Sequence, residues 1–226
     1  MRITWYGHAA FRVETGGLSL ILDPYRWPDA GGYAPIEDNA DVVVVSHEND
    51  RYHSHLGQIR PPFQVVRGLE VPPEGVQLAP DVHLDAIHVF ETPEKLPEDE
   101  VTLLHFRSEG LHVVFLGDLG HPLDESELAP LRGADVVLAS AGGKPTIAIN
   151  ELVPLLEAIG PRFVVPMHYK TPWINLNILE VQALLDVLDG WEIRRCSESS
   201  VRLSQENLPP SPTILVLEPA RPGSPA

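Results

Sequence analysis

Three of the chain's ten histidines fall within "SHENDRYHSH", residues 46–55, immediately after the four valines 42–45. A run of β-branched residues reads as a fully buried strand. A strand that ends in imidazoles and carboxylates can hold a metal from a rigid base, and His, Asp and Glu suit zinc, manganese or iron. The same residues also make an ordinary polar loop. The pattern recurs in "VVFLGD", "VVLASAGG" and "FVVPMH", where a buried strand runs into Asp118, Ser140 and His168. Four such strands side by side would bring their ends to one sheet edge, the usual ligand position in α/β sheets. Singly, each residue has a plainer reading. Asp118 serves as a turn or cap residue, His168 as a satisfied core histidine, and His88 in "DAIHVFE" as the solvent face of an edge strand. The coincidence of several strand ends favours a metal site. His83, His105 and His112 sit at ordinary alternating or loop positions.

The elements that must position these groups change character along the chain. The first third, "RITWY", "AFRVE", "LSLILD" and "DVVVVS", is short apolar segments broken by Gly-rich turns, as in an antiparallel meander leading into a buried strand. Residues 64–104 repeat this pattern more weakly. From His112 onward strands alternate with helices: "DESELAPLRG" capped by Asp124, "PTIAINELVPLLEAIG" with Thr146 as candidate N-cap and Gly160 as stop, and "NLNILEVQALLDVLDG" stopped by Gly190. Such alternation needs a sheet covered by helices. Two or three closing strands follow, and "PARPGSPA", residues 219–226, has the composition of a disordered tail.

Composition bounds the function. The 226 residues are 43% apolar, enough for one α/β domain with a substantial core. Sixteen Lys and Arg against 32 acids give a net charge of −16, which opposes general nucleic-acid or anionic-membrane binding. No signal-type segment or 18-residue apolar run appears, so the expectation is a cytoplasmic protein acting on a small molecule. Cys196 is the only cysteine, which excludes an intrachain disulfide and a thiolate zinc cluster. Exposed sheet edges leave a homo-oligomer open.

"ITWYGHAAFRVE", "LILDP", "DVVVVSH", "VVFLGDLGH" and "FVVPMHYKT" occur in the order and spacing of the metallo-beta-lactamase superfamily. The chain resembles especially its small UlaG-like branch of bacterial metal-dependent hydrolases. The resemblance covers residues 1–218. It implies a four-layer αβ/βα sandwich, two mixed sheets face to face with helices outside, and a metal centre at one edge. It implies that His47 is the first ligand of an HxHxDH signature, His88 the later ligand of the first site, Asp118 the bridging carboxylate and His168 the last ligand of the second site. His8 and His121 match histidines near the cleft. Just past His168, Lys170 and Tyr169 could face it and stabilise an oxyanion, the plainer reading of Lys170 being a solvated surface lysine. The signature itself is altered. Aligned without a gap, Asn49, Arg51 and Tyr52 replace its His, Asp and His, and Arg51 places a cation at the second metal. With one extra residue in the loop, His53 takes the last position and Asp50 approaches the metal. The divalent cation, zinc or else manganese or iron, then numbers one, two or none.

Metal-assisted hydrolysis of an ester, lactone, phosphodiester or amide is the activity these residues imply. The rival is a metal-free binding or regulatory protein. A nuclease is disfavoured by charge, and a serine or cysteine hydrolase by the lack of a GxSxG elbow or an activated Cys196.

Overall fold

Val42 and Val44 pack into one apolar cluster while Val43 and Val45 pack into another. A strand buried on both faces reads as continuous valine because neither side meets water. The computed structural model describes residues 1–223. In chain order the strands are β1 (Arg2–Gly7), β2 (Ala10–Thr15), β3 (Leu18–Leu22), β4 (Val42–Val45), β5 (Gln64–Arg67), β6 (Val76–Ala79), β7 (Val82–Phe90), β8 (Glu100–Ser108) and β9 (Leu111–Phe115). After the short helix α1 (Glu125–Leu128) come β10 (Val136–Ser140), α2 (Ile149–Ile159), β11 (Phe163–Met167), α3 (Gln182–Leu185), β12 (Glu192–Arg195), β13 (Ser200–Arg202) and β14 (Thr213–Val216).

Two sheets result, ordered β13-β1-β2-β3-β4-β5 and β12-β14-β11-β10-β9-β8-β7-β6. Both are mixed: β1, β2 and β3 are antiparallel, whereas β3, β4 and β5 run parallel. In the larger sheet β9, β10, β11, β14 and β12 are parallel and β6 to β9 are antiparallel. Alternate residues of the smaller sheet, Ile3, Trp5, Phe11, Val13, Leu20 and Leu22, share one core with β8 to β11 and α2. That is the face-to-face sandwich the resemblance implies. The outer layers differ. Helices α2 and α3 cover the larger sheet. On the smaller sheet the covering is loop, with Tyr25, Tyr33, Ile36, Ile59 and Ile174 packing on Tyr6, Ile21, Val43 and Val45.

Three local expectations change. Asp124 caps α1 through a full capping box, as its sequence demands, and Gly160 ends α2 in the left-handed region. Thr146, however, is no cap: its hydroxyl donates to the Gly143 carbonyl and α2 starts after Ala148. The apolar run 175–190 forms only one helical turn, because its first half serves as a tie. Leu179 donates to Gly142 and accepts from Lys170, which removes its backbone from any helix. Finally, residues 219–223 are held rather than disordered. Ala220 donates to the Trp5 carbonyl, Arg221 pairs with Asp38, and the Gly223 carbonyl accepts the Trp173 indole N–H. Residues 224–226 of the expected tail lie outside the described residues.

Candidate metal centre

The strand ends converge as their sequences require. His47 follows β4, Asp118 follows β9 and His168 follows β11, and cross-sheet bonds lock them together. The Ser46 carbonyl accepts from both the amide and the hydroxyl of Thr102 on β8, at 3.2 and 2.6 Å. The His168 amide donates to the His8 carbonyl at the end of β1, at 3.0 Å. His8, Asp23 and His168 all hold φ near +50° (51°, 43° and 49°) without being glycine. Left-handed backbone at non-glycine residues is costly, and such strain tends to be retained where a site needs it.

Asp23, which the sequence reading passed over, organises the cluster. Its carboxylate accepts the Ser46 amide at 2.7 Å, the Ser46 hydroxyl at 2.6 Å and His53 Nδ1 at 3.0 Å. The Ser46 hydroxyl spends its single proton on Asp23, so its contact with His47 Nδ1 at 3.0 Å must be donated by the imidazole. His47 is thereby fixed as the Nδ1–H tautomer, with the Nε2 lone pair turned inward. His53 Nε2 lies 2.9 Å from Asp118 Oδ2, making a buried Asp23–His53–Asp118 chain. His168 Nε2 lies 3.8 Å from Asp118 Oδ1, and the His8 and His168 rings are 4.3 Å apart.

Among the described residues, the buried polar atoms without a hydrogen-bond partner include His47 Nε2, Asp118 Oδ1, His168 Nδ1 and both ring nitrogens of His8. A buried polar atom left unpaired costs about 1–3 kcal/mol, so this concentration at one point calls for a ligand. Ligand atoms of His8, His53 and His168, and of Asp23, His47 and His53, lie within 4.8 Å of one another. The donor set of imidazoles and a carboxylate fits a divalent transition metal.

Electrostatics sort the protons. Burial works against a charged His53, yet the flanking Asp118 and Asp23 outweigh it and raise its pKa to about 10. Burial likewise opposes ionisation of Asp118, and His53 overrides it, holding the carboxyl well below its usual range. Burial and the neighbouring His53 keep His47 and His168 neutral by lowering their pKa, and His8 lies lower still. Neutral imidazoles are the form that binds metal.

The altered loop resolves into an inward and an outward half. The Asn49 carbonyl accepts the amides of Tyr52, His53 and Ser54, and this tight turn drives His53 inward. Arg51 points out, donating to the Asp29 carbonyl and lying over Tyr52, so no cation from it enters the centre. Asp50 is also outside: exposed, it pairs with Arg26 and with His55. The expectation that Asp50 approaches a metal is corrected. So is that for His88, which has its side chain 46% exposed and bonded to Glu100 at 2.8 Å, its strand alternation turning it to solvent. Lys170 does not face a cleft. Its ammonium ties the following loop by donating to the carbonyls of Ile174 and Leu176, while Tyr169 stacks on Trp5. His121 is buried with both nitrogens used, Nδ1 donating to Pro122 and Nε2 accepting the Phe90 amide. Glu91, next in the chain and a second residue the sequence reading missed, donates its amide to the Asp99 carbonyl, and burial and Asp118 raise the pKa of its carboxyl. A groove of about 870 Å³ between α2 and residues 177–187, lined by Gly142 and Gly143, includes none of these groups.

Residues 2–168 match the Beta-lactamase superfamily domain. A UPF0173 protein of Pyrococcus furiosus is 31% identical over 191 residues, covering 76% of this chain and 84% of its own length. A UPF0173 metal-dependent hydrolase of Carboxydothermus hydrogenoformans is 30% identical over 210 residues, covering 80% and 91%. Among solved structures, a candidate Zn-dependent hydrolase of the metallo-beta-lactamase superfamily from Thermotoga maritima superposes with a TM-score of 0.74 at 25% identity, covering 96% of this chain and 99% of that one. With the two mixed sheets and the strand-end cluster already in place, the chain belongs to the metallo-beta-lactamase superfamily.

Proposed function

We propose that the chain is a metal-dependent hydrolase of small molecules that works in the cytoplasm with one divalent cation, zinc by the character of its donors. His47, Asp118 and His168 would hold it, with His8 as a further nitrogen donor. The carrying observation is that these four residues each hold a buried atom without a partner, with His168 Nε2 3.8 Å from Asp118 Oδ1, the His8 and His168 rings 4.3 Å apart and the His47 and His53 rings 4.5 Å apart. Relatives named metal-dependent hydrolases support the reaction class. A bound divalent cation lowers the pKa of its water toward about 7 and polarises a carbonyl or phosphoryl oxygen, the chemistry of ester, lactone, phosphodiester or amide cleavage.

The count of one follows from what the other groups already do. Asp23 already accepts three hydrogen bonds, two from Ser46 and one from His53. His53 spends both nitrogens on carboxylates and carries the positive charge that a second cation would otherwise supply. Ser46 and Asp23 orient His47, the kind of support that keeps a ligand's lone pair aimed at its metal. A net charge of −16 fits a small-molecule substrate better than a nucleic acid or an anionic membrane. Among the described residues no helix is long and apolar enough to cross a membrane.

The rival reading, a metal-free binding protein, draws on the same His53 bridge, since that bridge neutralises Asp118 without metal. Elemental analysis of untagged protein separates the two. About one equivalent of metal, lost in the Asp118→Ala, His168→Ala double variant, is expected. Less than about a tenth of an equivalent after incubation with zinc, manganese or iron would establish the rival, and about two equivalents would overturn the count.

A further inference from the structure

The edge strand β12 carries a sequence that is complementary to itself. It borders only β14, and all four of its residues, Glu192, Ile193, Arg194 and Arg195, are exposed. The amides of Glu192 and Cys196 donate inward, to the carbonyls of Pro212 and Val216. By strand alternation the N–H and C=O groups of Ile193 and Arg195 therefore face outward, unpaired along the sheet edge. Natural edges are usually blunted by charge, and this one has charges, but arranged so that one pairing satisfies them.

We propose that a second copy of this chain pairs antiparallel with β12 about a two-fold axis at Ile193, joining the two larger sheets into one. In that register Ile193 of one copy lies opposite Ile193 of the other, an outward-facing pair able to exchange both hydrogen bonds. Glu192 of each copy lies opposite Arg194 of the other. Within one chain Arg194 already forks onto Glu192, at 2.8 and 3.1 Å. The axis therefore closes a ring of four charges alternating in sign, while the neighbouring registers set Arg194 against Arg194 or leave Glu192 unmatched. Opposite charges across a strand pair stabilise by about 0.2–1 kcal/mol and like charges destabilise, so the ring selects the register. On the other face Arg195 meets Trp191, a cation beside an aromatic ring.

The strand itself carries an exposed apolar side chain, Ile193 at 42%, which the pairing would cover. A second copy brings its own Arg194 to Glu192 and its own Glu192 to Arg194, the local charge match that this edge asks of a partner.

Sedimentation velocity with the intact protein tests this between about 1 and 200 micromolar, the range suited to a short interface. The mass is expected to climb from 24.9 kDa toward twice that value. Glu192→Arg and Arg194→Glu, each folded by circular dichroism, should weaken dimerisation at least about tenfold, since each sets like charges against each other. The double swap Glu192→Arg, Arg194→Glu should restore it. A wild type that stays at 24.9 kDa throughout overturns the proposal. A dimer indifferent to the single changes, or a swap that fails to restore it, overturns the interface.

Discussion

Between Asp23 and Asp118, His53 is the residue on which the charge balance of the centre turns. Two carboxylates and one imidazolium, all buried, are stable only together. Replacing His53 with Asn leaves the carboxylates facing each other without a cation. In metal-free protein this is expected to cost about 3–5 kcal/mol, as for other broken buried pairs. The sign of its pH dependence is fixed by the direction of the shift. His53 titrates at about 10 in the folded chain, against an ordinary histidine value of 6.5 once the chain unfolds. Its contribution is therefore complete below pH 6.5 and is lost as pH rises toward about 10. Urea unfolding of wild type and His53→Asn, both with chelator, should show a gap that is widest below pH 6.5 and narrows as pH rises toward about 10. A gap that is constant or widens upward would mean that His53 is not charged between its carboxylates.

At the scale of elements, the centre depends on how closely two loops approach. The loop carrying Asp118 is clamped to the end of β7 by the Gly120 amide on the Phe90 carbonyl and by the Phe90 amide on His121. A Cβ on Gly120 would collide with the Glu91 carbonyl, so glycine is required here by space rather than by backbone conformation. Gly120→Ala should force the loops apart, destabilising by about 1–3 kcal/mol and lowering bound metal together with thermal stability. Wild-type stability and metal content in that variant would show that the approach is slack. The same scale explains what the sequence reveals. The ends of β4, β9 and β11 are legible because apolar runs stop abruptly at His47, Asp118 and His168. Asp23 is not, because an aspartate before proline after a strand reads as a turn, and only its fold-level neighbours Ser46 and His53 give it a role. His88 misleads because one polar residue in an alternating strand can face either side. The short loop 48–55 hides its register for a related reason: a turn that closes on Asn49 exchanges inward and outward residues without changing composition.

For the molecule as a whole, the candidate ligands come from both sheets. His8 and His47 end strands of the smaller sheet, and Asp118 and His168 end strands of the larger. One cation held by these four would tie the layers at the open edge of the sandwich, adding to the Thr102–Ser46 and His168–His8 bonds. A ligand that binds only the folded chain stabilises it by mass action, by about 2.7 kcal/mol at a hundredfold excess over its dissociation constant. For a chain of this size each kcal/mol moves Tm by about 2–4 °C. Saturating zinc should therefore raise Tm by about 5–10 °C over chelated protein, with a dependence on free metal. Because the ligands span both sheets, the transition should move as one unit. Calorimetry on chelated and loaded protein checks this directly, and a single peak shifting upward is the expected result. A loaded sample with one shifted and one unshifted peak would put the metal within a single layer and remove half of the proposed ligand set.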